Sequence, residues 1–196
     1  MAPLSTPGCP GLIQVSEGQR LARLAATVPM GQAIVEIGSH TGLSTVWMAA
    51  ATQAHVVAVD PWGDPRPDTL DDPFALVTGD AVFDLFMRNL AHEGVASKVT
   101  PLRTTSLDAA RIWAQPIGLL FIDALHEYEH VRSDYLHWAR HIPVGGWIAF
   151  HDWIDDPSHP YYGVKVAIDE VVIGSGEWNN VEVTEHLWTA MRISAP

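Results

Sequence analysis

Ala33-Ile34-Val35-Glu36-Ile37-Gly38-Ser39-His40-Thr41-Gly42-Leu43-Ser44-Thr45 is the stretch that decides the fold. Its first five residues are apolar except for Glu36 and read as a short buried strand. Two glycines punctuate the turn that follows, and an alanine-rich helix is expected from about Ser44 to Thr52. A strand passing through a glycine turn into a helix is the opening of a βαβ unit.

The same alternation continues outward. His55 to Val59 is a second strand ending at Asp60, followed by a loop dense in Pro, Asp and Gly from Pro61 to Gly79. A helix with Phe83, Phe86, Met87 and Leu90 on one face comes next. Val99–Leu102, Ile117–Ile122 and the run from Gly145 to Phe150 read as strands, the last two ending on Asp123 and His151-Asp152. Helices are expected at Ser106–Trp113, Tyr128–Arg140 and Val164–Ile173. Val181–Val183 and Leu187–Ile193 close the chain with no room for a helix between them, so they form an antiparallel hairpin at one edge. Upstream, Ser16-Glu17 reads as the cap of a helix carrying Leu21, Leu24 and Ala25. The expected fold is a Rossmann-like α/β three-layer sandwich in one domain over residues 1–196, with residues 1–15 as a flexible arm or lid.

Composition narrows the function. Of 196 residues, 47% are apolar and 17% charged, which is material for a packed core. Eleven basic against 23 acidic residues give a formal charge of -12. Nucleic acid and anionic membranes are therefore poor partners, because both call for a basic face. No apolar run approaches the ~20 residues of a membrane span, and no signal peptide is read, so a cytoplasmic location is expected. Cys9, the lone cysteine, offers neither an intrachain disulfide nor a cysteine zinc site. The tryptophan-rich carboxyl half and Leu12-Ile13 would permit a homodimer.

Open parallel sheets bind ligands beyond the carboxyl ends of their strands, where strand order reverses. Four expected strand ends carry polar groups: Glu36 to Gly42, Asp60, Asp123, and His151-Asp152. Gly38 permits a tight turn, and the amides of Ser39 to Leu43 would point at a ligand. The spacing is G-x-x-x-G without the third glycine of a dinucleotide cradle, which suits a ligand without phosphates. Asp60 lies about 20 residues beyond that turn, where a carboxylate accepts the hydroxyls of a ribose. The alternative, a helix N-cap or a turn aspartate before Pro61, is the weaker reading once Gly38 is taken into account.

Val35-Glu36-Ile37-Gly38-Ser39-His40-Thr41-Gly42, Val59-Asp60-Pro61-Trp62, Phe121-Ile122-Asp123-Ala124-Leu125-His126-Glu127-Tyr128 and Gly145-Gly146-Trp147-Ile148-Ala149-Phe150-His151-Asp152 together resemble the class I S-adenosylmethionine-dependent methyltransferases. The similarity runs from about Ser16 to Ile193. It is greatest to the small-molecule O-methyltransferases of macrolide-sugar and cephalosporin pathways, distant relatives of catechol O-methyltransferase. The resemblance implies a seven-stranded sheet of order 3-2-1-4-5-7-6 with strand 7 antiparallel. It implies S-adenosylmethionine as cofactor, with Glu36 and Gly38 against its methionine part, Ser39, Thr41 and Gly42 in the cofactor turn, and Ser44 near its carboxylate. Asp60 would lie on the ribose, Trp62 and Ser106 would flank the adenine, and Asp123 would border both cofactor and acceptor. Trp62 read on its own is a loop anchor, and Ser106 a helix N-cap.

The reaction implied is methyl transfer to an oxygen of a small metabolite, in secondary metabolism. Metal-dependent relatives hold Mg²⁺ with an aspartate after strand 4 and an acidic pair after strand 5. Here those positions are Asp123 and His151-Asp152, and the histidine suits Mg²⁺ poorly, so a metal-free route is favoured. His151 is then the expected general base, with His126 and Lys165 as second choices. An anionic acceptor would need no base and would be oriented by Arg20, Arg103 or Lys165. Two other readings stay open: a nicotinamide-dependent oxidoreductase, and a non-catalytic cofactor-binding protein of the same fold.

Overall fold

The computed structural model describes residues 6–63 and 79–194. Its elements are α1 (Val15–Ala25), β1 (Ala33–Ile37), α2 (Leu43–Ala51), β2 (His55–Val59), α3 (Asp80–His92), β3 (Val99–Leu102), α4 (Ser106–Ile112) and β4 (Ile117–Ile122). They continue with α5 (Tyr128–Trp138), β5 (Trp147–Phe150), α6 (Tyr162–Ala167), β6 (Trp178–Thr184) and β7 (Leu187–Arg192). The seven strands form one sheet in the order β3-β2-β1-β4-β5-β7-β6. Pairs among β1 to β5 are parallel, and β7 runs antiparallel to both β5 and β6. This is the topology the resemblance implied.

Alternation along β1 and β4 divides the core. Val35, Ile37, Leu120 and Ile122 face a layer built from α4, α5 and α6, with Trp138 at its centre. Ile34, Leu119 and Phe121 face the layer of α1, α2 and α3, with Met48 and Phe86. Successive side chains of a strand point to opposite faces, so a sheet buried on both sides needs a nearly continuous apolar run.

Several boundaries move. Gln14, not Ser16, is the N-cap of α1, and its N–H donates to Glu17 Oε2 at 2.7 Å. Thr105, not Ser106, caps α4 by accepting from the Asp108 N–H. The closing helix passes after Ala167 into a π turn over Ile168–Val172. β6 is longer than expected and carries a bulge between Asn179 and Glu182, with Asn180 at φ 54°. The tryptophans of the carboxyl half turn inward: Trp138 and Trp188 are buried. Trp113, Trp147, Trp153 and Trp178 are half-buried, and Leu12 stays exposed. Among the described residues no helix is long and apolar enough to cross a membrane.

The arm read as standing off the core is docked where it is described. Thr41 Oγ1 donates to the Pro10 carbonyl at 2.9 Å, the Gly8 N–H donates to Glu93 Oε1 at 2.8 Å, and Cys9 lies in the α1–α3 layer. Burial, and after it the charge of Glu93, pushes the Cys9 thiol up to about 11. Apolar packing of Cys9 supplies the anchorage that the proline-rich sequence concealed. Residues 1–5, and residues 64–78 of the loop dense in Pro, Asp and Gly, lie outside the described residues.

Glu36 is the exception within β1. It is fully buried, and its carboxyl accepts from the hydroxyls of Ser44 and Thr45 on α2. Burial raises its pKa from 4.5 to about 7 against the opposing pull of those hydroxyls.

Two predictions follow from these contacts. Because the folded protein holds the Glu36 proton to a higher pH than the unfolded chain does, stability from this group is present at low pH. It should fall by about 3 kcal/mol as pH rises from 4.5 to about 7. In denaturant titrations, Glu36→Gln should therefore gain on the wild type progressively across that window, and a pH-independent difference would show ordinary ionisation. Thr41→Val removes about 1 kcal/mol of hydrogen bonding to the arm and should speed labelling of Cys9 by a thiol reagent about fivefold. Equal labelling rates would place the arm's anchorage elsewhere.

Candidate active site

The sheet ladder runs one residue past each strand, and those last bonds belong to the polar residues. The Asp60 N–H donates to Leu102 O (3.2 Å), Gly38 to Val59 O (2.9 Å), Asp123 to Ile37 O (2.8 Å) and His151 to Ile122 O (3.1 Å). Asp60, Gly38, Asp123 and His151 thus stand in a row along the carboxyl edge. The switch in strand order falls between β1 and β4. There Gly38 has φ +86°, and a Cβ on it would lie 2.2 Å from the Asp123 carbonyl oxygen, so only glycine fits. Of the five non-glycine residues with positive φ among the described residues, His40, Trp62 and Asp152 follow β1, β2 and β5 at this edge, while Asn180 and Glu185 belong to the β6–β7 hairpin. Such backbone strain persists where surrounding structure enforces it, and it gathers at functional sites.

On the cofactor side, Asp60 grips the turn. Its Oδ2 accepts from the N–H groups of Ser39 (3.0 Å) and His40 (2.9 Å), and its Oδ1 from that of Trp62 (2.6 Å). The Ser39 and His40 amides, expected to face a ligand, are thus directed at this carboxylate. A carboxylate offers about four acceptor positions, which leaves one for a hydroxyl. Ser39 Oγ is buried beside the Glu36 carboxyl, without a hydrogen bond of good geometry among the described residues. Gly42, at φ 89°, is the N-cap of α2, and Ser44, the second residue of that helix, donates to Glu36.

Trp62 and Ser106, both expected at the adenine, sit in different layers. Trp62 is buried, donates from Nε1 to the His40 carbonyl at 2.8 Å, and packs on Phe83 and Phe86 at 4.9 and 4.8 Å. It is a loop anchor here. Ser106 donates to Asp134 at 2.5 Å and accepts from Trp138 Nε1 at 2.9 Å, joining α4 to α5.

On the reaction side lies a cluster of acids and imidazoles. His151 Nδ1 is 3.1 Å from Asp152 Oδ2 and 3.3 Å from Asp123 Oδ1, while its Nε2 is 3.2 Å from Glu17 Oε2. Burial disfavours its charge, but the Asp123 carboxylate, with hydrogen bonds to Asp123, Asp152 and Glu17, outweighs this and pushes it far above the usual imidazole range. His151 is therefore not the free base expected: both nitrogens already face carboxylates. Asp152 is pushed upward by burial, yet hydrogen bonds from His126 and His151 hold it below the carboxylate range. Asp123 moves the other way, raised chiefly by burial.

His126 is arranged differently. Its Nε2 is 2.8 Å from Asp152 Oδ2, and its ring stacks on Tyr161 with centroids 4.0 Å apart. No hydrogen bond engages its Nδ1 among the described residues. A carboxylate on one nitrogen and a free second nitrogen is the arrangement of an oriented base. Asp123, His126 and Asp152 could each offer a metal one ligand atom, all within 4.8 Å of one another. This differs from the expected trio, because His126 stands where His151 was placed. Two carboxylate oxygens and one imidazole suit a softer divalent ion than Mg²⁺. Asp123, His126 and His151 line a shallow depression with no room for a water molecule.

Lys165 lies outside the cluster, paired with Asp169 at 2.6 Å. The other anion handles are also engaged elsewhere, Arg20 by Glu182 and Thr189, and Arg103 by Asp80. Sequence reasoning missed Glu17 as a site residue, because its position reads as a helix cap. It missed Tyr161 because a polar loop has no periodicity to read.

A family model described as a methyltransferase domain matches residues 35–153. Among solved structures, the chain is similar to the O-methyltransferase TomG of Streptomyces achromogenes, involved in tomaymycin synthesis and solved with S-adenosylmethionine. That match has 18% identity over 93% of this chain and 82% of TomG, with a TM-score of 0.70. An O-methyltransferase from Bacillus cereus in complex with S-adenosylhomocysteine matches at 16% identity over 95% and 84% of the two chains, TM-score 0.65. At these identities the structures speak to the fold. The family match spans more than half of the chain, from the buried strand before the glycine turn to the residue after the strained aspartate, and the chain accordingly belongs to the methyltransferase-domain family.

Proposed function

We propose that this protein is an S-adenosylmethionine-dependent O-methyltransferase whose acceptor is a hydroxyl of a small metabolite. The observation that carries the reading is the Asp152–His126 pair standing beside the strand-end row of Asp60, Gly38 and Asp123. S-adenosylmethionine, when bound, supplies a methyl on a sulfonium that leaves as a neutral thioether. Gly38, Ser39, Thr41, Gly42 and Ser44 would hold it at the switch point, with Glu36 and Asp123 alongside. Asp60 would keep its last acceptor position for the ribose.

The protein's own chemistry is positioning and proton removal. His126 Nδ1 takes the hydroxyl proton while Asp152, on Nε2, fixes the ring and stabilises its cation. Glu17, Asp123 and Asp152 set three carboxylates against the His151 cation, so the site carries negative charge. That suits a sulfonium and an uncharged hydroxyl, and it opposes an anionic acceptor. TomG supports a role in secondary metabolism by analogy of fold alone. The second reading places a divalent metal on Asp123, His126 and Asp152, where it would polarise the acceptor oxygen.

Calorimetry should show S-adenosylhomocysteine binding in the micromolar range. Asp60→Ala should weaken it by about 10–100-fold, the loss of a charge-assisted acceptor worth ~1.5–3 kcal/mol. A melting point raised by NAD instead would favour an oxidoreductase. With radiolabelled S-adenosylmethionine and a panel of phenols, sugars and hydroxy acids, His126→Ala should lower the rate roughly 10²–10⁴-fold and chelation should leave it intact. Loss on chelation, restored by Mn²⁺ or Mg²⁺, supports the metal; a rate that survives both treatments overturns both versions.

A further inference from the structure

Glu17 lies on α1, 134 residues before His151 in sequence, yet only 1% of it is exposed. A helix cap needs no such burial, and a buried carboxylate is unfavourable unless it is fully paired. It is so paired. Oε2 accepts from the Gln14 N–H and faces His151 Nε2, while Oε1 accepts from the His186 N–H at 2.9 Å in the β6–β7 turn. The next residue shows how α1 comes close enough. A Cβ at Gly18 would lie 2.2 Å from the Trp47 indole nitrogen, so α1 presses on α2 at a point that admits only glycine.

The contacts close a circuit around Asp152. His151, before it, is held through its ring by Glu17. Trp153, after it, donates its N–H to the His186 carbonyl at 2.9 Å, and His186 is in turn bound to Glu17. Between them Asp152 has φ 56°, a left-handed conformation that a non-glycine residue keeps only when its neighbours impose it. Asp152 is also the partner of His126 Nε2.

We propose that Glu17 is a positioning residue for methyl transfer, clamping the residues on either side of Asp152 so that this carboxylate meets His126. The proposal rests on the role given above to His126 and Asp152. It assigns Glu17 no contact with cofactor or acceptor; its effect passes through His151 and the β6–β7 turn.

The test uses Glu17→Gln, which keeps an oxygen for His186 but presents no carboxylate to His151, with Glu17→Asp as a second variant of shorter reach. In ¹⁵N-histidine-labelled protein, the ring signals of both His151 and His126 should change, although Glu17 touches only the first. A His126 signal identical to wild type in both variants overturns the proposal, whatever acceptor is used. In the methyl-transfer assay, Glu17→Gln should lower kcat at least tenfold with S-adenosylhomocysteine affinity within twofold of wild type. It should add no further loss in a His151→Gln background, because residues acting as one unit are not additive. Additive losses, or an unchanged kcat, overturn it. Failure of the wild type to bind S-adenosylhomocysteine would instead strike the methyltransferase reading, and the ring signals would still decide the role of Glu17.

Discussion

The structure depends on the last rung of a parallel ladder. Four neighbouring strands each donate one hydrogen bond from the residue just past their end, and those residues are Asp60, Gly38, Asp123 and His151. Backbone hydrogen bonds thereby set the spacing of groups that lie as far apart in the chain as Gly38 and His151. Side-chain flexibility has little room to blur that spacing. The closest approach in the row, Gly38 against the Asp123 carbonyl, also fixes how tightly the first turn and the exit of β4 meet.

Burial makes the charges at this edge interdependent. Asp123 is raised by desolvation, Asp152 is lowered by two imidazoles, and His151 stays cationic because three carboxylates surround it. Water would screen such a cluster; the core beneath it does not, so each group's protonation state is set by the others. Geometry separates the two imidazoles. His151 faces carboxylates from both nitrogens, whereas among the described residues His126 is engaged on one.

Two layers brace this edge from opposite sides. The α1–α3 layer contributes Glu17, the docked arm and the Ser44 and Thr45 hydroxyls on Glu36. The α4–α6 layer takes up Ser106 and carries Tyr161 at the start of α6, stacked on His126. Residues assigned to a ligand from motif position alone, such as Trp62 and Ser106, also do ordinary structural work in these layers. A motif names a place in the fold and leaves open which neighbour engages the side chain there.

The sequence by itself determined the alternation of strands and helices, the antiparallel closing hairpin and the polar row at the strand ends. Strand burial, glycine turns and apolar periodicity are local properties, so they can be read without partners. Asp60, Asp123 and Asp152 were legible for the same reason, each following an apolar run. Only the tertiary structure decided which histidine, among the described residues, has a nitrogen without a partner, that His126 replaces His151 in the trio with converging donor atoms, and that Glu17 is buried against His151. Those outcomes turn on distances of about 3 Å between side chains from different elements, set by how α1 packs and how the β6–β7 turn folds back. No spacing along the chain encodes them, because the circuit from Glu17 through His186 and Trp153 to Asp152 closes only when the sheet and both its layers are assembled.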